Sequence, residues 1–353
     1  MNTRWVLWVS TALETRGGVS AYVRMVSQTS LWSSWNVRHI ATHRDGSLFV
    51  RCVAFARALP RFLSALAARP SLVHIHMASG GSFFRKSVLM WLARVVHVPV
   101  VLHIHGGEFH QFHARLPRLM RRYVRATLEA SSLVIALGEI WAHRLARLAP
   151  RARIVVLPNA VRLRQPVSQP KVGESVRVLF VGRIGEEKGA FVLLEAWAQV
   201  LRQGVLPTQL TLAGDGSIER ARQLVAELGL GESVQVLGWV DPGDIPQLMS
   251  ESHVLVLPSL NEGQPMAILE AMAHGMCIVA SDRGGIPDLI DDDCGVLVPA
   301  GDVDGLATPL AAVVNDADLR ARLGAQAAQR VIERFDIEVV VRRLDDMYSE
   351  VAR

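Results

Sequence analysis

Two carboxylates stand out in the stretch NEGQPMAILEAMAHG, which spans residues 261–275. Glu262 lies in a polar turn, whereas Glu270 lies inside a segment of Met, Ala, Ile and Leu. A helix that is apolar nearly all round is buried, and an unpaired carboxylate there is costly. Glu270 therefore needs hydrogen-bond donors. The ribose of a bound nucleotide, a neighbouring Arg or a backbone N–H would each serve.

The residues that precede this helix favour anion binding. Pro265 suits the first helical position, because its fixed φ fits a helix and its missing N–H is not needed there. Gly263, Gln264 and Met266 would then offer backbone N–H groups at the positive end of the helix dipole.

Two cations follow another predicted strand, VRVLFVG. In the next segment, RIGEEKGA, Arg183 comes directly after the strand and Lys188 opens a helix. Together they could neutralise a diphosphate, and Arg can do so through a bidentate fork. For an isolated pair of this kind, solvated loop charges are the alternative.

The first half of the chain carries glycine and histidine motifs after its strands. Gly17 and Gly18 follow the first predicted strand and indicate a tight turn, while a dehydrogenase fingerprint G-x-G-x-x-G is absent. His-x-His occurs in VHIHMASGG and in LHIHGGEFHQFH, and on a strand both rings point to one face. We expect one histidine at each strand end, His76 and His105, to face a binding cleft.

No metal site is predicted from these motifs. No Cys or carboxylate spacing completes a tetrahedral zinc set around the histidines, so His74 and His103 are interpreted as buried histidines. Asp302 and Asp304 match an Asp-x-Asp pattern, but Asp302 precedes a helical segment and fits a helix cap better.

The segment HMASGGSFFRKS could cradle a phosphate and add positive charge to it, although a flexible solvated loop is an equal alternative. Its candidate residues are Ser79, Gly80, Gly81, Ser82, Arg85 and Lys86.

A basic amphipathic helix is predicted over ARLPRLMRRYVRATLEA. Such a helix can rest on anionic lipid, whereas the alternative is a solvated helix face. The charge balance favours lipid, because residues 1–165 carry 23 Lys and Arg against five Asp and Glu. The predicted membrane-facing residues are Arg115, Arg118, Arg121, Arg122 and Arg125.

The composition indicates a globular protein of a reducing compartment. Half of the 353 residues are apolar, and the three cysteines are far apart in the sequence. The short apolar run near the N-terminus is interpreted as a buried strand and not as a secretory signal. No apolar run reaches 18 residues, so we expect no membrane span and a cytoplasmic location.

Strands and helices alternate in two series, which predicts an α/β fold with two parallel sheets. We expect an N-terminal Rossmann-like domain over residues 1–165, a linker over 166–176 and a second Rossmann-like domain over 177–335. A C-terminal helix over about residues 336–353 would pack back on the first domain.

An ordered set of motifs carries a family resemblance. The set runs from G-R-x4-K-G through LAGDG, LGWV and E-G-x-P-x4-E-A-M-A-x-G to the loop at Gly284 to Pro287. It resembles the family-4 retaining glycosyltransferases of capsule and exopolysaccharide type. The resemblance implies the GT-B fold, which has two doubly wound domains and a deep interdomain cleft.

The resemblance also implies roles for single residues. Arg183 and Lys188 would clamp the donor diphosphate, Glu270 would bind ribose, and Glu262 would lie beside the transferred sugar. His105 would bind a sugar hydroxyl, with His76 on the same wall. The segment HMASGGSFFRKS resembles a motif that lies at the acceptor side in such transferases. The predicted acceptor-side residues are therefore His76, Ser79, Gly80, Gly81, Ser82, Arg85 and Lys86. Gly17 and Gly18 would form a loop whose backbone closely approaches the donor phosphates. The loop through Leu237, Gly238, Trp239 and Val240 would lie along the nucleobase.

The expected activity is retaining transfer of a hexose from a UDP- or GDP-sugar to a saccharide on polyprenyl diphosphate. The reaction would need no cofactor and no metal, and the enzyme would lie on the inner face of the cytoplasmic membrane. Gln264 and Pro265 depart from a common family pattern, so the sugar is not inferred. The alternatives are a nucleotide-sugar epimerase of the same architecture and a nucleic-acid-binding protein, although stacking platforms for nucleic acid are missing.

Overall fold

The computed structural model describes residues 4–15, 17–171 and 173–352. It divides into two compact units, Met1–Ala160 with Ile337–Arg353, and Val161–Asp336. The division falls at Ala160, five residues before the boundary expected at residue 165. The described part of segment 166–176, expected as a linker, belongs to the second unit.

The first unit is built on a six-stranded parallel sheet in the order β2-β1-β3-β4-β5-β6. The direction of strand order reverses between β1 and β3, which is where ligands bind in open α/β sheets. The strands are β1 (Val6–Ser10), β2 (Arg38–Ala41), β3 (Leu72–Met77), β4 (Val100–Ile104), β5 (Leu133–Ala136) and β6 (Ile154–Val156).

Helices cover both faces of this sheet, which explains why β1, β3, β4 and β5 are buried throughout. Alternate strand residues point to opposite faces, so Leu7 packs in one core and Trp8 in the other. The helices are α1 (Gly18–Val26), α2 (Ser30–Ser34), α3 (Leu48–Ala67), α4 (Gly81–Val95), α5 (Phe109–Arg115), α6 (Arg118–Ala130) and α7 (Glu139–Leu148).

The second unit also has a six-stranded parallel sheet, in the order β12-β11-β10-β7-β8-β9. Its strand order reverses between β7 and β10. The strands are β7 (Val176–Val181), β8 (Thr208–Ala213), β9 (Val234–Gly238), β10 (Val254–Leu257), β11 (Cys277–Ser281) and β12 (Val296–Val298).

The second sheet is likewise enclosed by helices. They are α8 (Ala190–Arg202), α9 (Ile218–Glu227), α10 (Ile245–Ser250), α11 (Met266–Ala273), α12 (Val303–Asn315) and α13 (Ala317–Arg330), with 3-10 turns at Glu186–Lys188 and Ile286–Asp288 and a π-helical turn at Val331–Phe335.

The last helix, α14 (Ile337–Val351), belongs to the first unit. Its buried face, which includes Val340 and Leu344, packs in the same core as α1. The indole Nε1 of Trp8 donates a hydrogen bond to the Tyr348 hydroxyl at 2.7 Å. None of the helices in the described ranges has both the length and the apolar character of a membrane span.

Candidate active site

The richest cluster of candidate residues in the second unit lies at its topological switch point. The loop after β7 carries Arg183 and Lys188, and the loop after β10 carries Glu262. Since β7 and β10 are hydrogen-bonded neighbours in a parallel sheet, their carboxyl ends lie at the same edge. Residues 74 positions apart in sequence are thereby brought together.

Lys188 and Glu262 form an ion pair at this edge. The Nζ atom of Lys188 lies 2.5 Å from Oε1 of Glu262, and the Ser259 hydroxyl donates to the same oxygen at 3.0 Å. The Glu262 side chain is 8% exposed and that of Lys188 is 30% exposed. A buried carboxylate is thus paired, while the ammonium group remains accessible to a ligand.

Backbone contacts fix the position of Glu262. The N–H of Gly285 donates to the Glu262 carbonyl at 3.0 Å. Gly284 has φ +60°, and a Cβ there would lie 2.0 Å from the same carbonyl oxygen. Only glycine fits this approach, so the loop after β11 packs directly against the loop that holds Glu262.

Arg183 is exposed and has no ion-pair or hydrogen-bond partner within the described ranges. The loops around it are held by backbone hydrogen bonds, since the N–H of Ile184 donates to the Asp215 carbonyl at 2.6 Å. Gly216 has φ +115°, and a Cβ there would lie 3.1 Å from the Arg183 side chain. A fixed backbone therefore presents a guanidinium that is free to bind an anion.

Glu270 lies on α11, which begins one residue later than predicted because Pro265 takes the N-cap position. The side chain is partly exposed, and its carboxylate accepts no hydrogen bond from the described residues. Burial raises the pKa of Glu270 to about 7, and the charge of Arg164 lowers it. The sequence analysis offered a neighbouring Arg or a backbone N–H as a donor to Glu270. Among the described residues, neither forms this hydrogen bond.

The remaining donor-site candidates lie around these groups. Gly263 is partly buried beside the buried Gln264 and Pro265, and Met266 is the first residue of α11. Gly238 ends β9 with φ +80°, and its carbonyl accepts from the Gly214 N–H at 2.7 Å.

Trp239 is 41% exposed directly after β9, and Val240 follows it. The strand β9 lies two positions from β7 in the sheet, about 10 Å away at ordinary strand spacing. This distance suits a nucleoside diphosphate whose base lies near β9 and whose phosphates lie near β7.

In the first unit, the loops after β3 and β4 lie side by side. The His105 N–H donates to the Met77 carbonyl at 2.8 Å, and a Cβ on Gly106 would lie 3.2 Å from the Ser79 nitrogen. His105 is partly exposed. Burial, and next the charge of Lys86, lower its pKa to about 3, so the ring is neutral at neutral pH.

The predicted acceptor-side residues divide into surface and interior groups. Ser79, Gly80 and Ser82 form an ordered turn, in which Gly80 has φ +63° and Ser82 Oγ accepts from the Ala78 N–H at 3.3 Å. These residues form a hydrogen-bonded turn at the start of α4. Gly81, the first residue of α4, is exposed.

His76 and Lys86 are not on the surface, contrary to the sequence-based expectation that they line the acceptor side. His76 is 1% exposed and Lys86 is 4% exposed. His76 contacts His105 instead, since its Nδ1 lies 2.8 Å from His105 Nε2. Burial, and next the charge of the half-buried Arg85, lower the pKa of Lys86 to about 7. His76 can act on a ligand only through His105.

Sequence reasoning missed two histidines near the first switch point. His39 is on β2, where its Nε2 lies 2.7 Å from Ser10 Oγ at the end of β1. His43 follows β2. Burial is the largest cause of its lowered pKa, and the charges of Arg85 and Arg51 lower it as well. The signal was weak because β2 is a four-residue edge strand with no fully buried residue.

Gly17 and Gly18 lie after β1, where Gly17 has φ +118° and precedes α1. This positive φ requires glycine, although a Cβ would meet no atom within 4 Å.

All five arginines of the predicted basic helix are exposed, but two of them have partners within the protein. The Arg121 guanidinium donates to the carbonyls of Leu116 at 2.7 Å and Ala114 at 2.6 Å. Arg125 pairs with Glu129 at 2.9 Å. In the described part of the chain, the other three have no such partner, namely Arg115, Arg118 and Arg122.

Comparison with known proteins gives two family matches that together span most of the chain. Residues 161–330 match the model described as glycosyl transferases group 1, and residues 17–160 match a glycosyl transferase 4-like domain.

Among curated proteins, the chain is 30% identical over 308 residues to 2-deoxystreptamine N-acetyl-D-glucosaminyltransferase from Streptomyces fradiae, covering 81% of this chain and 72% of that protein. It is 26% identical over 301 residues to UDP-Gal:alpha-D-GlcNAc-diphosphoundecaprenol alpha-1,3-galactosyltransferase from Escherichia coli, covering 79% and 75%.

Among solved structures, HepE from Anabaena in complex with UDP and glucose has a TM-score of 0.76 and 19% identity, covering 98% of this chain and all of that one. This likeness confirms the predicted fold class. The two sheets, their strand orders and these matches agree, and the chain belongs to the group 1 glycosyltransferases of the family-4 type, with the GT-B fold.

Proposed function

We propose that this glycosyltransferase moves a hexose from a nucleoside-diphosphate sugar to a hydroxyl of a saccharide, with retention of the anomeric configuration. The observation that carries this proposal is the grouping at the second switch point. The loop after β7 carries the accessible ammonium of Lys188 and the guanidinium of Arg183, which has no partner among the described residues, and the loop after β10 brings Glu262 beside them.

The cations account for stabilisation of the leaving group. As the bond to phosphate breaks, negative charge develops on the diphosphate, and Arg183 and Lys188 can bind that charge. The start of α11 adds backbone N–H groups and the positive end of a helix dipole. These groups supply the charge stabilisation without a metal, so we propose metal-independent transfer.

Retention without a covalent intermediate fits the state of Glu262. Its Oε1 is already bound to Lys188 and Ser259, which lowers its capacity to attack an anomeric carbon. We therefore propose that the acceptor hydroxyl attacks the face from which the diphosphate departs. Glu262 then serves to bind the sugar and to hold Lys188 in place.

Glu270 supplies recognition of the nucleoside. Its carboxylate accepts no hydrogen bond from the residues that the structure describes, and two ribose hydroxyls would satisfy it. Trp239 and Val240 offer a surface for the base at the end of β9. The donor is proposed to be UDP- or GDP-linked, and the names of the two relatives described above that mention UDP favour the former.

The acceptor is proposed to carry a diphosphate, and specifically to be a saccharide linked to polyprenyl diphosphate. The half-buried Arg85 and the exposed Arg51 supply positive charge near the start of α4, and each feels the charge of the other. The name of the Escherichia coli relative specifies a diphosphoundecaprenol acceptor. His105 would bind a hydroxyl of a sugar, and its neutral ring can donate or accept a hydrogen bond.

Such an acceptor would place the enzyme on the anionic inner face of the cytoplasmic membrane. Leu119 is 70% exposed between Arg118 and Arg122 on α6, and Val95 on the adjacent α4 is 72% exposed. Exposed apolar side chains among unpartnered arginines are suited to peripheral lipid binding. We propose that the enzyme acts in the synthesis of an exopolysaccharide, a capsule or a lipopolysaccharide.

The decisive experiment is incorporation of label from UDP- and GDP-sugars into membrane extracts that contain lipid-linked saccharides. We expect incorporation from one donor into a lipid-extractable product, with α or β configuration at the new bond matching the donor. Conversion of donor in the absence of any acceptor would indicate an epimerase. Failure of every donor to label any saccharide would refute the proposed transfer.

A further inference from the structure

Three histidines lie together on one face of the first sheet, beneath His105, and the proposed transfer gives them no role. His74 and His76 are on β3, and His103 is opposite His76 on β4. All three are at most 1% exposed. They lie on the face that α1 and α14 cover, because the neighbouring Trp8, Tyr22 and Tyr348 rings pack against them.

The hydrogen-bonding capacity of this cluster is incompletely satisfied. His74 Nε2, His76 Nε2 and both ring nitrogens of His103 have no partner among the residues that the structure describes. Buried polar atoms of native proteins are nearly always paired with protein groups, ordered water or an ion. Four unpaired nitrogens on three adjacent rings therefore point to a bound species.

The geometry suits a single metal ion. One ring nitrogen from each histidine lies within 4.8 Å of the others. Two nitrogens bound to the same tetrahedral zinc ion are about 3.4 Å apart, so closure requires shifts of less than about 1 Å per ring. The His74 ring is stacked on His76 at an interplanar angle of 14° and on His103 at 19°, so the rings must also tilt until their lone pairs converge on the ion.

Two of the rings are already oriented by second hydrogen bonds. His74 Nδ1 is paired with the Tyr348 hydroxyl, and His76 Nδ1 lies 2.8 Å from His105 Nε2. Histidine ligands of metals typically use one ring nitrogen for the metal and the other for such a partner. The nitrogens left over, His74 Nε2 and His76 Nε2, are the ones that lack a partner.

We propose that His74, His76 and His103 bind one transition-metal ion, with Zn²⁺ the best match to three neutral imidazoles. A water molecule would take the fourth position, where the Tyr22 hydroxyl, itself buried without a described partner, offers a hydrogen bond. Because the ligands are fully buried, the ion is a structural one that enters as the first unit folds.

The sequence pattern predicted no such site, because His74 and His76 alone provide only two ligands. The third comes from β4, whose register with β3 places His103 beside His76. The site also includes α14, because Tyr348 orients His74. A metal on His76 Nε2 would leave the proton on Nδ1, from which it can be donated to His105. This hydrogen bond from His76 to His105 is the one link between the proposed metal site and the proposed transfer.

The first test measures metal in the full-length protein after removal of any affinity tag. We expect close to one equivalent of zinc per chain by elemental analysis. The protein would then be unfolded in chelator and refolded with Zn²⁺, with Co²⁺ or with neither. Tetrahedral Co²⁺ absorption and a higher Tm in the metal-loaded samples would support the site. An equal Tm with and without metal, and no bound Co²⁺, would overturn it in favour of trapped water.

Variants locate the ion and guard against a folding artefact. Tyr348→Phe keeps the packing but removes the hydrogen bond to His74, so we expect zinc affinity to fall about 10- to 100-fold. His103→Gln should abolish stoichiometric binding, whereas His143→Ala, at an exposed histidine on α7, should leave it unchanged. Undiminished zinc in both His103→Gln and Tyr348→Phe would refute the assignment. These readouts do not depend on transferase activity.

Discussion

The Nζ atom of Lys188 lies 2.5 Å from Oε1 of Glu262, and the two residues come from loops after neighbouring strands of the second sheet. Each partner constrains the other. Glu262 is paired with a counter-ion, while Lys188 is held at the carboxyl ends of β7 and β10.

Replacement of Lys188 by alanine should lower kcat by about 10²- to 10³-fold, because a charge donor to the leaving group is lost. It should also lower the free energy of unfolding by about 1–2 kcal/mol, since Glu262 would be left buried without its counter-ion. Steady-state kinetics and calorimetry measure the two effects. Lys171→Ala, at an exposed lysine of the same unit, is the matched control and should change neither.

Replacement of Glu270 by alanine should weaken UDP or GDP binding about 10- to 100-fold, because hydrogen bonds from the ribose to a charged acceptor would be lost. Isothermal titration calorimetry gives the affinity directly. Glu232→Ala, at an exposed glutamate, should bind as the wild type does. Equal affinities for the Glu270 and Glu232 variants would exclude a ribose contact.

The raised pKa of Glu270 predicts a pH dependence. Burial raises the pKa from 4.5 to about 7, so the folded protein binds more protons than the unfolded chain between these values. The contribution of Glu270 to stability is therefore complete below pH 4.5 and is lost as the pH rises through 7. Nucleotide affinity should move in the opposite direction, rising with pH through 7, because the carboxylate accepts hydrogen bonds from two ribose hydroxyls more strongly than the protonated carboxyl group does.

Glu270→Gln provides the comparison for this effect. In the wild type, Tm and nucleotide affinity should change between pH 4.5 and about 7 as Glu270 ionises. In the Gln variant, this part of the pH dependence should be missing. Parallel pH profiles for the two proteins would contradict the assignment of the titration to Glu270.

Replacement of Gly284 by alanine should destabilise the second unit by more than about 2 kcal/mol, because its Cβ would fall 2.0 Å from the Glu262 carbonyl oxygen at a positive φ. Displacement of Glu262 should weaken donor binding as well. Gly243→Ala is the matched control, since a Cβ there would meet no atom within 4 Å. Thermal unfolding of both variants, with and without nucleotide, distinguishes a local clash from a general effect of adding a methyl group.

Replacement of Arg118 and Arg122 by alanine should reduce binding to anionic vesicles by about 30-fold, at about 1 kcal/mol for each basic residue near the surface. Co-sedimentation with phosphatidylserine-containing and neutral vesicles measures this. A double replacement of Arg220 and Arg222, which are ion-paired in the second unit, changes the net charge equally and should have little effect. Wild-type binding that is the same for both vesicle types would remove the electrostatic basis of the proposal.

Much of the fold followed from local patterns. Continuous apolar strands such as VLWVS and VLVL are buried on both faces, so their sequence alone specifies a covered parallel sheet. The strand β2 escaped notice because an edge strand buries little and shows no such pattern. The start of α11 differed by one residue, since Pro265 fits both the N-cap and the first helical turn.

The sequence by itself determined the order of elements, the family and the identity of the charged residues after each strand, because these depend on residue type and near spacing. Only the tertiary structure decided which of them meet. Strand order brings Lys188 to Glu262 and His103 to His76. Packing of α4 buries Lys86, and no donor among the described residues reaches the Glu270 carboxylate on α11. Pairing across a sheet joins residues that are distant along the chain, and burial depends on every element packed above them, so neither can be read from local sequence.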